Sequence, residues 1–170
     1  MLLQSISEDG HKNTCLAELE LLVLGSYLAE SFTNRINSYG LDLESRNLPT
    51  LRFNATNAFV GIITDGLDDS SALSTTNEPV WPYKSFLAVP LLQFSEDQEE
   101  KFSGNCFAVG GNTGDSVGEL VDAFAHHTLE DTNGDLVFAD LQGVFDFQAR
   151  TIYYIDYLLK QALNLATALK

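Results

Sequence analysis

The spacing of apolar residues in the first half of the chain predicts one long helix and two short strands. Residues 14–39 carry apolar side chains at helical spacing, which is typical of a helix with one buried face. Thr14 is placed to cap the start of this helix, and Gly40 stands where a glycine commonly ends one. Short apolar runs with polar borders predict strands over 59–64 and 85–89.

The second half of the chain predicts two further helices and one further strand. A helix is expected over 116–129, where apolar residues fall on one face. The dipeptide Asn133-Gly134 favours a tight hairpin turn, because both residues tolerate positive backbone angles, and a strand is expected over 136–141. An amphipathic pattern over 149–168 predicts a terminal helix packed on the domain. Helices and strands in this order predict an α+β fold.

Three polar segments separate these elements. Residues 65–82 and the glycine-rich stretch 105–116 have the composition of loops. The charged run SEDQEE, residues 95–100, is interpreted as the solvated start of a helix. None of the three carries a phosphate-binding loop with its lysine, so nothing here indicates a P-loop nucleotide-binding site.

Composition narrows the class of protein. The 170 residues suit a single domain spanning 1–170, and no apolar run reaches the roughly 18 residues that a membrane span needs. Nine basic residues face 24 acidic ones, a net charge of −15, which argues against nucleic acid and against a membrane surface as partners. Two distant cysteines, Cys15 and Cys106, do not form a disulfide framework, so a reducing, cytoplasmic location is expected.

Two groups of residues in the second half could carry metal chemistry. Asp131, Asn133 and Asp135 follow the first positions of a calcium-binding EF-hand loop, but the glycine and the glutamate that the loop also needs are absent. The pair His126-His127 could bind a metal, act as a base, or be structural at the end of a helix. The sequence by itself does not decide among these three roles of the histidine pair.

The segment DAFAHHTLEDTNGDLVFADLQGVFD, residues 122–146, resembles the signature of the carboxy-terminal lobe in the alpha-kinase family. These are atypical serine/threonine protein kinases that include myosin heavy chain kinases and elongation factor 2 kinase. The residues that match the family pattern are Phe124, His126, Glu130, Gly134, Asp140, Leu141, Gln142 and Gly143. Residues 86–105 resemble the hinge of the family and its following Lys-aromatic-x-x-Asn stretch, especially in fungal members. Residues 18–61 resemble the helix of the family's small lobe and the strand after it, so the resemblance covers about 18–146. It implies a protein-kinase-like fold, mainly the carboxy-terminal lobe with part of the amino-terminal lobe.

The resemblance also implies roles for individual residues. In the family, the Asp of D-x-Q-G orients or deprotonates the substrate hydroxyl, a role that falls on Asp140. The following Gln helps to hold magnesium and phosphate, which falls on Gln142. The nucleotide site would include Val89 at the hinge and Gly143 beside Gln142. His126 matches the first zinc ligand of the family. The implied substrates are ATP, bound with Mg²⁺, and a protein hydroxyl.

Other family features are expected to be missing. The phosphate loop and the ATP-contacting strand lysine would precede the helix at 14–39, and the segment GVFDFQARTIYY replaces the loop that carries a second magnesium-binding Asp. The remaining zinc ligands are absent, so no bound zinc is expected. These departures suggest an alpha-kinase truncated at both ends, with 147–170 as a divergent terminal helix. Two functions follow: an alpha-type kinase that transfers the γ-phosphoryl group of ATP, or a non-catalytic pseudokinase remnant that binds proteins. The oligomeric state is left open.

Overall fold

A computed structural model describes residues 6–64, 82–92, 99–103, 116–146 and 148–161, with the backbone alone for 155–161. Within these ranges it confirms the predicted α+β fold. The elements, in chain order, are α1 (Glu8–Ser38), β1 (Thr50–Phe53), β2 (Phe59–Ile62), β3 (Ser85–Ala88), β4 (Glu99–Lys101), α2 (Ser116–Asp131), β5 (Leu136–Asp146) and β6 (Thr151–Gln161). In this part of the chain neither helix is long and apolar enough to cross a bilayer.

Helix α1 is longer at its start than the pattern predicts. It begins at Glu8, because the Ser7 hydroxyl accepts a hydrogen bond from the Gly10 amide at 3.1 Å and caps the first turn. Thr14, the predicted cap, lies inside the helix and donates to the Gly10 carbonyl. The predicted end is confirmed, since Gly40 follows the helix with a φ of +70°.

The strands form two sheets. The larger has the order β1-β6-β5-β4, in which β1 runs parallel to β6 and the other two pairs are antiparallel. The smaller pairs β2 with β3 in antiparallel orientation, and both of these predicted strands are confirmed at nearly the predicted positions. Helix α1 packs against both sheets, whereas α2 packs on β5. The helices therefore hold the strand that carries Asp140 against the rest of the domain.

The core lies between α1, α2 and the larger sheet, and aromatic rings fill its centre. Four rings come from four elements and lie 5.0–6.3 Å apart in five pairs: Phe53, Phe124, Phe138 and Tyr154. Phe32 of α1 adds an edge-on contact to Phe124 at 5.6 Å. Aromatic rings at these distances favour tilted and offset arrangements over face-to-face stacking. The central strands are thus fixed by large buried side chains.

The Asn133-Gly134 dipeptide ends a helix and does not turn a hairpin, so the predicted hairpin is wrong. Both residues have positive φ, 54° and 87°, as the dipeptide favours. The Gly134 amide donates to the Leu129 carbonyl at 2.7 Å, and the Asn133 amide donates to the Glu130 carbonyl. These two bonds are the pattern that closes a helix with a left-handed residue after its last turn. The same backbone preference therefore serves a helix end here, and β5 follows directly.

The predicted terminal helix over 149–168 is also wrong for the residues that the structure describes. Residues 151–161 form β6, which lies between β1 and β5 and pairs with both. The stretch TIYYIDY is rich in β-branched and aromatic residues, which pack well on a pleated surface. Pairing on two edges therefore overrides an apolar spacing that also fits a helix. Residues 162–170, the rest of that prediction, lie outside the described residues.

Two smaller corrections concern short strands. Glu99 and Glu100 belong to β4, so the charged run does not begin a helix there, and residues 93–98 lie outside the described residues. Strand β1 was not predicted, although its burial alternates as a half-buried strand should, with Leu51 and Phe53 buried and Arg52 exposed. Four residues are too few for that alternation to stand out. The loops expected over 65–82 and 105–116 lie outside the described residues, except for residues 82 and 116.

Candidate active site

An irregularity in β5 turns Asp140 away from the core. Phe138 and Leu141 are both fully buried although they are three residues apart, and a regular strand with its two-residue repeat would place them on opposite faces. The pairing of β5 with β6 shifts register between Ala139 and Gln142, and this bulge brings both apolar side chains to the core. Asp140 and Gln142 flank the buried Leu141 and so lie on the face away from the core.

The backbone of Asp140 is left-handed, with a φ of +55°. Asp and Asn adopt this conformation more readily than most residues, because their short polar side chains can bond locally. The carboxylate is partly shielded, with 18% of the side chain exposed, and its Oδ1 pairs with the Lys101 ammonium. Unusual backbone conformations that persist in a folded protein are concentrated at functional sites. The bulge therefore presents one carboxylate in a fixed position beside one cation.

The segment that follows β4 holds the bulge in place. The Leu141 amide donates to Ser103 Oγ at 2.9 Å, and the Leu141 carbonyl accepts from the Phe102 amide at 2.8 Å. Ser103 and Leu141 are both buried, so these bonds have no competition from water. The backbone on the carboxyl side of Asp140 is thus hydrogen-bonded through both its N–H and its C=O group.

Strand β4 also brings Lys101 to the site. Lys101 lies opposite Gln142 in the β4–β5 register, and its half-exposed side chain reaches diagonally to Asp140. The structure therefore gathers Asp140, Gln142 and Lys101 on two neighbouring strands. Lys101 and Ser103 were not singled out as site residues from the sequence. The signal was present in the Lys-aromatic-x-x-Asn stretch, but the spacing alone does not show that this stretch pairs with β5.

Gly143 has a structural reason to be glycine. A Cβ atom built there would lie 2.2 Å from the Tyr153 carbonyl oxygen on β6, closer than any real contact. Glycine at a position of close backbone approach is the usual solution in a strand. The motif Asp140-Leu141-Gln142-Gly143 therefore combines a presented carboxylate, a buried anchor and a point of close strand contact.

The other two predicted site residues lie elsewhere. Val89 follows β3, in the smaller sheet, and is exposed. The next residue, Pro90, is fixed through its carbonyl, which accepts from Asn54 Nδ2 at 2.7 Å. His126 lies on α2 with 70% of its side chain exposed, and Glu130 Oε1 is 3.8 Å from its Nδ1. The structure thus groups Gln142 and Gly143 with Asp140, while Val89 and His126 occupy separate elements.

His127, the neighbour of His126, is buried between the two helices. Arg35 Nη1 of α1 lies 3.4 Å from His127 Nδ1, and Asp131 Oδ2 lies 3.7 Å from its Nε2. Burial lowers the pKa of His127, and this effect outweighs the opposing attraction of Asp131. The ring is therefore neutral at pH 7 and serves as a structural link. Of the three readings of the histidine pair, this geometry supports the structural one for His127.

The oxygen donors of β5 suit magnesium better than the histidines suit zinc. Mg²⁺ is commonly held by one or two carboxylates together with substrate phosphates, and β5 carries one carboxylate, Asp140, and one amide oxygen donor, Gln142. Zinc in a structural site takes four ligands, and within the described ranges no three His, Cys, Asp or Glu side chains come together. That observation includes Asp131 and Asp135, the residues considered for calcium. The expectation of no bound zinc stays a prediction.

Comparison with known proteins identifies the family. The sequence matches the model of the alpha-kinase family over residues 5–159, so the chain belongs to the alpha-kinase family. This match is longer than the expected 18–146 and includes most of β6, up to residue 159. A comparison with curated proteins gives no match.

One solved alpha-kinase shares the fold, and a second is similar in part. An alpha kinase from Entamoeba histolytica is 20% identical, with a TM-score of 0.56 over 92% of this chain and 54% of that chain. The alpha-kinase domain of myosin-II heavy chain kinase A, as apoenzyme, is 19% identical, with a TM-score of 0.47 over 84% of this chain and 42% of that chain. The chain thus spans about half the length of the Entamoeba kinase.

Proposed function

We propose that this chain is an alpha-type serine/threonine kinase domain that transfers the γ-phosphoryl group of ATP to a protein hydroxyl. Family membership supports a kinase domain, and the family generally uses ATP with Mg²⁺. The observation that carries the proposal is the bulge in β5, which presents Asp140 beside Lys101 at the matched D-L-Q-G motif. Gln142, Gly143 and Val89 are the other residues of the proposed site.

Asp140 would position the acceptor hydroxyl and accept its proton. Phosphoryl transfer depends mainly on positioning and on neutralising charge, because the protein contributes little covalent chemistry. A carboxylate held by a bulge loses little freedom when the acceptor arrives. The opposing ammonium of Lys101 suits the negative charge that the transferring phosphoryl group spreads over its oxygens. Asp140 therefore accepts the proton, and Lys101 stabilises charge.

Gln142 would help to hold magnesium through its amide oxygen. Magnesium, when bound with the nucleotide, neutralises charge on the phosphates. Gly143 would allow the strand to remain close to β6 beneath the nucleotide, and Val89 would contribute backbone contacts to the adenine from the segment after β3. We assign the protein to the cytoplasm, with a protein substrate and with neither nucleic acid nor membrane as a partner.

The alternative function is a pseudokinase that binds proteins without catalysis. One observation favours it: Lys101 already occupies the Asp140 Oδ1 atom, so the carboxylate has a structural partner. If the Lys101–Asp140 pair only stabilises the β4–β5 contact, removing either charge lowers the stability of the fold and has no effect on phosphoryl transfer. The two functions therefore predict different results for the same variant.

The test compares the wild type with Asp140→Asn and Lys101→Met in the 170-residue chain. Asn keeps the shape of Asp and tolerates the left-handed backbone, so Asp140→Asn removes the charge with little strain. We expect ATP with Mg²⁺ to raise the melting temperature of the wild type, because a ligand that binds only the native state stabilises it. We expect Asp140→Asn to lose phosphoryl transfer to a mixed Ser/Thr peptide library by at least about a hundredfold.

Lys101→Met distinguishes the two functions further, since it leaves the carboxylate intact. The kinase proposal expects Lys101→Met to lose transfer while the melting temperature changes little. Three results together would support the pseudokinase and refute the kinase. Mg-ATP would not raise the melting temperature of the wild type, the wild type would not transfer phosphate, and Asp140→Asn would melt at a lower temperature than the wild type.

A further inference from the structure

The side of helix α1 that faces away from the core carries a stripe of exposed side chains. Its members recur at alternating intervals of four and three residues, and all of them are exposed: Leu16, Glu20, Val23, Tyr27, Glu30 and Asn34. We call this set the outer stripe of α1. The residues that α1 buries lie on the opposite side of the helix: Cys15, Leu22, Gly25, Leu28, Ala29 and Phe32. Helix α1 therefore presents one face to the core and the outer stripe to solvent.

The outer stripe contains large apolar side chains. Leu16 is 39% exposed, Val23 is 54% exposed and Tyr27 is 65% exposed. Single exposed apolar residues are common on protein surfaces and need no explanation. Apolar residues aligned along one helix face are different, because they are typical of a face that packs against another element. Helix α1 thus carries apolar residues on two opposite faces, although the domain covers only one of them.

The spacing of the outer stripe is that of a helix that pairs with another helix. Alternating intervals of four and three residues form the seven-residue repeat of coiled coils, in which these positions face the partner helix. From Leu16 to Asn34 the stripe is about 27 Å long, at 1.5 Å of rise per residue. A partner helix of about 20 residues has the length to cover it.

The charge of the outer stripe decides what kind of helix fits. Two copies of this chain that pair antiparallel with Val23 opposite Tyr27 would place Glu20 opposite Glu30, and a parallel pair in register would place each Glu opposite itself. Like charges in contact across an interface oppose association. The net charge of −15 on each copy adds a general repulsion. The outer stripe therefore disfavours a second copy and favours a partner with positive charge.

We propose that the outer stripe of α1 is a docking surface for a basic amphipathic helix of another protein. Apolar side chains of that helix cover Leu16, Val23 and Tyr27, and its lysine or arginine side chains pair with Glu20 and Glu30. Burial of apolar surface supplies most of the affinity, whereas the charges select a basic helix. The stripe contains no residue of β5, so it requires neither the kinase nor the pseudokinase function.

The test measures binding of a fluorescent synthetic peptide to the 170-residue chain by anisotropy. The peptide has about 20 residues, with leucine and alanine along one helical face and lysine beside them. One matched peptide carries glutamate in place of every lysine, and another has the same composition as the basic peptide in an order without an apolar face. The buffer contains about 0.15 M salt, which screens charges more than about 8 Å apart, so the net charge of the chain alone does not retain a basic peptide.

We expect the basic peptide to bind with a Kd below about 100 μM, and each matched peptide to bind at least about tenfold more weakly. The double variant with Glu20→Lys and Glu30→Lys should bind the basic peptide at least about tenfold more weakly, and should bind the glutamate peptide more tightly than the wild type does. The control variant combines Glu18→Lys and Glu44→Lys. It makes the same change of net charge at exposed residues outside the stripe, so it should keep the affinity of the wild type.

The apolar part of the stripe is tested by Tyr27→Ser. Its control is Tyr39→Ser, which changes a residue that is 74% exposed and follows the end of α1. Tyr27→Ser should weaken binding of the basic peptide by at least about tenfold, and Tyr39→Ser should leave it unchanged. Both variants should melt as the wild type does, because exposed side chains contribute little to stability.

Several results would overturn the proposal. A Kd above about 100 μM for the basic peptide, or equal binding of the peptide without an apolar face, would show that the stripe does not recognise a basic helix. Equal losses in the two charge variants would show attraction to the net charge alone. Dimerisation of the wild type that Tyr27→Ser abolishes would show that a second copy covers the stripe. Melting of Tyr27→Ser well below Tyr39→Ser would show that this chain itself covers it.

Discussion

The contact between Ser103 and Leu141 should decide how firmly Asp140 is held. Ser103→Ala removes the hydroxyl that accepts the Leu141 amide at 2.9 Å, and it leaves the remaining carbonyl contacts of Leu141 in place. Leu141 is 0% exposed and Ser103 is 8% exposed, so water cannot replace the lost acceptor without opening the structure. The variant therefore leaves one buried N–H group without a partner.

The expected cost follows from that burial. A buried donor left unsatisfied costs about 1–3 kcal/mol of folding free energy. In a domain of this size, each kcal/mol lowers the melting temperature by roughly 2–4 °C. We therefore expect Ser103→Ala to melt about 2–12 °C below the wild type. Ser38→Ala is the matched control, because its hydroxyl donates to the Arg35 carbonyl on the exposed surface, where water replaces the bond.

The assay is urea unfolding of the 170-residue chain, followed by circular dichroism and by tyrosine fluorescence. We expect Ser103→Ala to shift the midpoint at an unchanged slope, which marks a change of stability alone. If phosphoryl transfer is present, the same variant should reduce it, because Asp140 then loses its backbone support. A midpoint for Ser103→Ala that coincides with that of Ser38→Ala would show that the Ser103 hydroxyl does not hold the bulge.

Three further variants test the fold around the site. Gly143→Ala should destabilise the chain by roughly 1–3 kcal/mol through its clash with the Tyr153 carbonyl, and it should disturb the β5–β6 pairing seen by NMR. Gly40→Ala, which meets no atom within 4 Å, should show only the strain of its left-handed backbone, about 1–2 kcal/mol, and should leave that pairing unchanged. An unchanged β5–β6 pairing in Gly143→Ala would refute the clash. Glu8 accepts hydrogen bonds from the backbone amide of Lys84, and these bonds lower its pKa below the ordinary 4.5. Glu8→Gln should therefore melt below the wild type at pH 7, and this difference in melting temperature should vanish as the pH falls below 4.5. Burial lowers the pKa of His127 below its ordinary 6.5, so the melting temperature of the wild type should fall as the pH falls through 6.5. In His127→Gln the melting temperature should depend less on pH in this range. A variant with the same pH dependence as the wild type would refute the buried, neutral state of His127.

The sequence predicts those elements whose signal is local. Helix α1 and helix α2 follow from long apolar faces, and Gly40 ends its helix because the left-handed conformation favours glycine. Strand β3 follows from a short bounded apolar run. These signals depend on neighbouring residues only, so no knowledge of distant pairing is needed to interpret them.

Non-local pairing explains the errors. Residues 151–161 carry an apolar spacing that fits a helix, and only their position between β1 and β5 makes them a strand. The Asn133-Gly134 dipeptide specifies positive φ values but not the elements that it joins. Lys101 reaches Asp140 only because β4 pairs with β5 in one particular register. A register is set by contacts across the sheet, which a single sequence does not display.

The four residues of the D-L-Q-G motif can be separated by what holds each of them. Leu141 is fully buried, and any residue of similar shape could fill its space, so its loss would cost packing energy and nothing specific to phosphate. Gly143 is required by the Tyr153 carbonyl, a contact that a pseudokinase would need as much as an active kinase. Asp140 differs from both, because its side chain lies outside the core and its carboxylate forms an ion pair with Lys101 on β4.

The negative charge of Asp140 requires a separate explanation. The left-handed backbone would accept Asn or Gly at no greater strain, so the conformation alone does not require a charge. A partly exposed ion pair such as Lys101–Asp140 contributes little stability on its own, about 0–1 kcal/mol. The fold thus explains the position of residue 140 but not its negative charge. A function that uses the charge, such as orienting and deprotonating a hydroxyl, accounts for it better than stability does.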